Sequence, residues 1–385
     1  MVSILFWVSL GLIGYIFVGY PALLALWGAV RPRRWRQQPC EPNISIVFSA
    51  YNEAASIVAK IENLLALDYP AERVEILVGS DGSTDGTAEQ LLTVCDQRLR
   101  VFIFSQRRGK PVVLNTLVPQ AHGDIVVLCD VRQKFEAGVL RAFARSFADP
   151  HVGAVTGKMI LTTEGGTAVS GGSGFYWRYE TFIRSRESVI DSTIAATGAI
   201  YAIRKTLFEP IPADTILDDV LIPLRIVRRG YRVIVESEAR AFDSASAHAQ
   251  QEFTRKVRTL AGNFQLFVRE RWLFNPLRNR LWWQTLSHKA LRLLIAPLQI
   301  TIAVANVMLL GASPLYKIIM LAQILFYAGA IAGWVLPRDW KKPFVITFPF
   351  FFCLLSWATV LAFLRSVTGR QPVTWQKATA NIPSR

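Results

Sequence analysis

Four stretches of this 385-residue sequence carry the residue types that charged chemistry needs. "SDGSTDGT" begins with Ser80 and Asp81 at the end of an apolar run, and its small residues suit a strand-to-helix turn. Free backbone N–H groups at such a turn favour anions, whereas an Asp there can accept hydrogen bonds from ribose hydroxyls or a base N–H. An Asx turn with a helix cap is the plainer reading of the same octet. "CDVRQ" closes another apolar run with Asp130 and adds Arg132 two residues later. A carboxylate at a strand end can hold a divalent ion that bridges a diphosphate, or simply cap the strand. "ILDDV" sets Asp218 beside Asp219; adjacent carboxylates disfavour each other's ionisation, so one can accept a proton near neutral pH. A helix cap with a favourable dipole explains the pair equally simply. "TRKVRT" offers Arg255, Lys256 and Arg258. Residues 255 and 258 share a helix face and could grip one diphosphate, or lie as a basic face on a membrane surface.

These groups need a scaffold that gathers them, and the hydrophobic pattern supplies one. "ISIVFSA", "VEILVGSD", "RVFIFS" and "DIVVLCD" read as strands separated by helical segments, one beginning near Lys110. Alternation of this kind predicts an α/β fold with a mostly parallel sheet, whose ligands gather at the carboxyl ends of the strands. "VGAVTGKMIL" and "IYAIR" are further strands, and residues 164–175, rich in Gly, read as a flexible loop. Helices are expected over "FYWRYETFIRSRESVI", after "ILDD" up to Gly230, and along the basic stretch from 251 to 271.

Residues 4–30 contain no charge and are long enough to cross a bilayer, and "RPRRWRQQ" follows them. A retained transmembrane helix with its C-terminal end in the cytoplasm is the expectation, since juxtamembrane Arg and Lys stay on that side. Apolar blocks return at 291–312, 315–337 and 344–364. If all three cross, the basic tail lies outside; the Pro-containing 291–312 block is the candidate to lie in the interface instead. The expected layout is a membrane helix and basic collar (1–36), a cytoplasmic catalytic domain (37–275), an interfacial segment with a membrane bundle (276–365), and a basic tail (366–385). The net charge of +15 fits collars near anionic lipid, and no nucleic-acid module is evident, so no nucleic-acid partner is expected. The four cysteines are dispersed, on no metal or disulfide spacing.

Taken together and in this order, the motifs resemble those of membrane-integrated family-2 glycosyltransferases, the group of cellulose, chitin and hyaluronan synthases. The resemblance covers about residues 44–265. It implies a GT-A (nucleotide-diphospho-sugar transferase) fold flanked by transmembrane helices. "AYNE" and "SDGSTDGT" resemble the nucleotide-binding segments, implicating Tyr51, Glu53 and Asp81. "GKPVVLN" resembles the family's GKxxALN, implicating Lys110 and Asn115 near nucleotide and sugar. "CDVRQ" stands where the family often has Asp-x-Asp, implying Mg or Mn on Asp130 with Arg132 in place of the second acid. "ATGAIYAIR" resembles the acceptor-side loop, and "ILDDV" the Thr-Glu-Asp type motif, which makes Asp219 the catalytic base with Asp218 beside it. Arg255 and Arg258 would stabilise the leaving diphosphate, while Thr259 stands where polymerising members carry Trp.

The resemblance thus implies inverting transfer from a nucleotide sugar, taken as a UDP-sugar, to a polysaccharide or glycan acceptor in extracellular polysaccharide synthesis. Membrane lipid and proteins that receive an exported glycan are the implied partners. The implied location is the bacterial inner (plasma) membrane, crossed more than once, with the catalytic domain cytoplasmic. Single-sugar transfer to a lipid-linked acceptor is the alternative, and a membrane scaffold without activity the non-enzymatic one.

Overall fold

The structure, a computed structural model, describes residues 1–162, 168–244, 249–337, 340 and 342–372. Among these, eight strands form one sheet: β1 (Ile44–Ala50), β2 (Val74–Asp81), β3 (Leu99–Phe104), β4 (Ile125–Cys129), β5 (Lys134–Phe135), β6 (Val152–Thr162), β7 (Ile200–Arg204) and β8 (Arg232–Ser244), in the order β3-β2-β1-β4-β7-β6-β8-β5. The sheet is mixed and mostly parallel. β1, β2, β3 and β4 run together, as do β6 and β8, while β7 runs against both of its neighbours and β5 against β8.

Alternation along the strands builds a core on each face. Ile44, Ile46 and Phe48 pack with Ile57, Ile61, Leu140 and Phe143 on one side. Val47, Val126 and Leu128 pack with Val113, Leu117, Leu221 and Leu224 on the other. The helices Ile57–Leu65 and Val139–Ser146 therefore cover one face, and Lys110–Leu117 and Asp218–Arg228 the other.

The reversed strand matters for the site. Since β7 is antiparallel, its first residue, Ile200, pairs with the last residue of β4, Cys129. The "AATG" turn before β7 is thereby delivered to the edge where Asp130 emerges. β6 and β8 run parallel to each other and opposite to β7, so their ends, Thr162 and Ser244, reach that edge too.

Among the described residues four helical segments are long and apolar enough to cross a membrane: Val2–Val30, Trp282–Leu309, Pro314–Val335 and Phe344–Val367. The 291–312 block continues a helical run that starts at Trp282 and includes a π-helical turn at Thr285–Ala290. The last segment docks on the basic helix Ala249–Arg269, with Val257 and Ala261 against Ala358 and Ala362. Small residues on both partners let these backbones approach closely.

Two expectations change. The Gly-rich stretch is helical from Ala168, because the helix Ala168–Ile190 starts inside it; residues 163–167 lie outside the described residues, as do 373–385 of the tail. The collar also bonds to the catalytic part. Backbone carbonyls of Arg33 and Arg34 accept from buried Arg232, and the Arg33 N–H donates to Val189 O at 2.7 Å.

Candidate active site

The four strand-end motifs converge. One cleft of about 410 Å3 is lined by Tyr51, Glu53, Asp81, Lys110, Asp130, Arg132, Asp218, Asp219, Arg255 and Arg258, within the usual size range for small-molecule sites. Asn115 is the expected residue that is not brought in. Its amide donates to Ile211 O (2.7 Å) and accepts from Ile211 N–H (2.9 Å), so it ties down the segment leading to Asp218 instead of facing a nucleotide.

The first two loops are laced together. Asn52 takes a left-handed backbone (φ 53°), and its side chain accepts from Thr84 N–H at 2.9 Å. Thr87 accepts from Glu53 N–H, and Asp85 from Ala54 N–H. Within the octet Asp85 serves the turn, accepting from Thr87 N–H, while Asp81 lines the cleft. Asp81 is buried and accepts from the N–H groups of Arg108 (2.7 Å) and Gly109 (2.8 Å), which fixes the loop that delivers Lys110. Gly82 (φ +65°) permits this, because a Cβ there would strike the Arg107 backbone. Arg107 lies over the Tyr51 ring, 3.6 Å from its centroid.

Lys110 is the hinge of the charge arrangement. Its Nζ stands 2.8 Å from Asp130 Oδ1 and 3.4 Å from Asp218 Oδ2. Burial would raise the Asp130 pKa, but Lys110, Arg132 and Lys60 outweigh it and hold the carboxyl below its ordinary value. Arg132 leans toward Asp243 at the end of β8 (3.7 Å), which also accepts from Gln133 (2.8 Å). Burial, then the charge of Arg132, lowers the Arg255 pKa. Lys256, paired with Glu252 at 3.7 Å, and Arg258 line the same side of the cleft.

Across the cleft, Asp218 and Asp219 begin the helix Asp218–Arg228, yet Leu217 holds the N-cap position and no side chain caps that end. A side-chain cap therefore does not account for the pair, while its place in the first turn keeps the favourable dipole. Burial, and next the charge of Asp218, raises the Asp219 pKa to about 6 against the pull of Lys110, Arg184 and Lys289. The turn before β7 packs on it: Ala196 N–H donates to Asp219 O at 2.9 Å, and a Cβ on Gly198 would stand 2.9 Å from Asp219 Oδ2. Gly198→Ala should therefore displace the carboxylate and cut turnover roughly tenfold, with nucleotide affinity unchanged. Steady-state kinetics beside a nucleotide titration would read this, and an unaltered kcat would remove Gly198 from the site.

Among the described residues no group of three or more His, Cys, Asp or Glu side chains is gathered to hold a metal. Mg and its like, however, are commonly held through one or two carboxylates plus substrate phosphates. Asp130, 45% exposed at its side chain and beside the cationic wall, fits that mode.

The sequence family described as glycosyl transferase family 2 matches residues 45–210. The matched part of the chain is thus similar to a glycosyl transferase family 2 domain. It is 24% identical to the poly-beta-1,6-N-acetyl-D-glucosamine synthase of Staphylococcus aureus over 232 residues, 59% of this chain and 56% of that protein. It is also 24% identical over 199 residues to the beta-monoglucosyldiacylglycerol synthase of a Synechocystis strain, 50% of this chain and 42% of that one. The chain therefore spans about half the length of these two relatives. Its fold is similar to that of a Pyrobaculum calidifontis mannosyltransferase solved with GDP-Man and Mn2+, with a TM-score of 0.72, 22% identity and 95% of this chain covered against 99% of that one. The fold is thus GT-A, as the motif order implies.

The cleft also contains residues that the motif reading passes over: Arg107, Arg184, Asp243 and Lys289. Asp243 stands next to the end of β8, but that strand carries Glu236, Glu238 and Arg240, so no apolar run marks it. Arg184 and Lys289 sit in helical segments whose local pattern carries no such mark.

Proposed function

We propose that the protein is an inverting glycosyltransferase that moves a sugar from a nucleoside diphosphate donor to a hydroxyl of a glycan or lipid-linked acceptor at a membrane. The observation that carries this reading is the polarity of one cleft, in which Lys110, Arg132, Arg255 and Arg258 face Asp219, whose pKa is raised to about 6. Tyr51, Glu53 and Asp81 form the nucleoside end, and the diphosphate lies along the cations. Mg or Mn arriving with the donor, held by Asp130, would screen charge growing on the diphosphate.

The acceptor hydroxyl gives its proton to Asp219 while its oxygen bonds to the anomeric carbon. The bond from that carbon to the diphosphate oxygen breaks on the opposite face, and its electron pair leaves with the nucleoside diphosphate. Lys110, Arg255 and Arg258 stabilise that charge. Residues 37–275 form the catalytic part, placed on the cytoplasmic side of a bacterial inner membrane by the basic collar after the first apolar helix. Thr259, which lines the cleft where polymerising members have Trp, favours single addition; the likeness to a polysaccharide synthase favours chain extension. Product length after incubation with labelled donor separates the two.

A thermal-shift panel of UDP- and GDP-sugars, with and without Mg or Mn, tests donor and metal together. At least one nucleotide sugar should raise Tm saturably, and a divalent ion should increase the effect. Asp130→Asn should keep the nucleotide response and lose the increment from the ion. If no nucleotide sugar stabilises the protein, the donor assignment is wrong.

A further inference from the structure

Between β4 and the two-residue strand β5, residues 130–133 run without helix or strand of their own. Asp130, Arg132 and Gln133 from this loop all line the cleft, so its shape must be held by groups outside it. Gln133 Nε2 ties it to Asp243 Oδ2 at 2.8 Å, and β5 pairs with β8. Behind it stands the helix Ile57–Leu65, which supplies three further bonds. Lys60 Nζ donates to the Gln133 carbonyl at 2.7 Å. Asn63 accepts from Phe135 N–H at 2.7 Å and donates to the Phe135 carbonyl at 3.0 Å, the two-bond exchange that a paired strand residue would make. Positions 60 and 63 share one helix face.

Lys60 is only 3% exposed, and its Nζ lies 4.1 Å from the centroid of the Phe135 ring. Taking an amine out of water is unfavourable unless its hydrogen bonds are replaced. An apolar side chain would fill the same space, since Ile57, Ile61 and Phe135 build the core around it. The polar end of Lys60 is therefore accounted for by the contact it makes, and that contact is with the loop. Burial lowers the Lys60 pKa, but amine and ammonium both donate, so the contact does not depend on the charge. The same helix follows the segment with Tyr51 and Glu53. One element thus borders both the nucleoside end of the cleft and the loop that carries Asp130.

We propose that Lys60 and Asn63 are positioning residues for the divalent-ion and diphosphate end of the cleft. They fix the backbone of residues 133–135, and through it the aim of Asp130 and Arg132. This rests on the transfer reading and deepens it by naming what holds the ion's carboxylate in place. Both residues lie behind the cleft wall, outside its lining, so neither contacts a ligand directly. An ion held through one or two carboxylates and substrate phosphates depends on the direction those oxygens face, and groups that orient a metal ligand affect its affinity strongly.

The test uses the full chain in phosphatidylcholine nanodiscs and follows Tm while Mn2+ is titrated at saturating UDP, with a parallel series at saturating GDP. The parent should show a saturable rise with Mn2+ in at least one series. Lys60→Met and Asn63→Leu, which keep side chains of similar size, should each raise the half-saturating Mn2+ concentration roughly tenfold. The half-saturating concentration of UMP or GMP, titrated without the ion, should stay within a factor of two, because the nucleoside end is left intact. That monophosphate response also certifies folding, and if Asn63→Leu does not fold, Lys60→Met alone decides. A lower unliganded Tm with the Mn2+ response unmoved would make these contacts structural only and overturn the proposal. Equal weakening of Mn2+ and monophosphate would overturn it too, as a general loosening of the fold. A parent without any Mn2+ response would undo the metal assignment of the transfer reading and this inference together, whereas a responsive parent beside unmoved variants undoes this one alone.

Discussion

Asp219→Asn is expected to remove sugar transfer, with kcat down by roughly 10²–10⁴-fold, while nucleotide sugars still stabilise the protein. The amide keeps nearly the size of the carboxyl but cannot accept the acceptor's proton. The donor is gripped across the cleft, by Lys110, Arg132 and the basic helix, so its affinity should change little. Asp218 cannot easily stand in, because Lys110 is held 3.4 Å from its Oδ2. Turnover close to that of the parent in Asp219→Asn would take Asp219 out of the mechanism.

The raised pKa gives this result a pH signature. Only the ionised carboxylate can act as a base, so the rate should fall as pH drops through about 6, and the residual rate of Asp219→Asn should lose that dependence. Stability should move the other way. The folded pKa lies above the ordinary 3.8, so the contribution of this group is full below about 3.8 and is lost as pH rises through about 6. Asp219→Asn should therefore outlast its parent above pH 6, and the difference should fade in acid. A catalytic group held in an unfavourable environment predicts this exchange of stability for activity.

The readable part of the site was the part written locally. Apolar runs that stop at Asp81 and Asp130, and the pair after Leu217, mark strand and helix ends by composition alone, and parallel strands must bring such ends to one edge. What joins them is not local. The antiparallel course of β7 sets the "AATG" turn against Asp219, and no periodicity announces strand direction. Asn115 shows a limit of motif reading: the resemblance implies a place near the nucleotide, and the structure shows its amide bonded to the backbone of Ile211. A residue kept for positioning and one kept for contact leave the same letter in a motif. His288 gives no warning in sequence either, since its carboxylate partners stand 101 and 108 residues away.

His288→Ala should cost about 3–5 kcal/mol, the range for breaking a buried charge pair by removing one partner. His288 is fully buried, its side chain and that of Glu187 are 0% exposed, and Glu180 is 5% exposed. Removing the ring leaves Glu187 with only the hydroxyls of Tyr20 (2.6 Å) and Thr193 (3.2 Å), and neither carries charge. Glu180 loses one of three cations and keeps Arg184 and Arg292, so most of the cost should fall on Glu187. That asymmetry can be measured. Glu187→Gln in the His288→Ala background removes the stranded charge and should recover a large part of the loss, whereas Glu180→Gln should recover little, because Glu180 still has Arg184 and Arg292 beside it. Because Tyr20 belongs to the first apolar helix, Glu187 to Ala168–Ile190 and His288 to the π-helical turn, the damage should appear as loosening of the membrane segments from the catalytic part. Unfolding half-life at fixed temperature is the suitable readout for a membrane protein that unfolds irreversibly. A half-life within a factor of two of the parent would show that the two glutamates do not depend on His288.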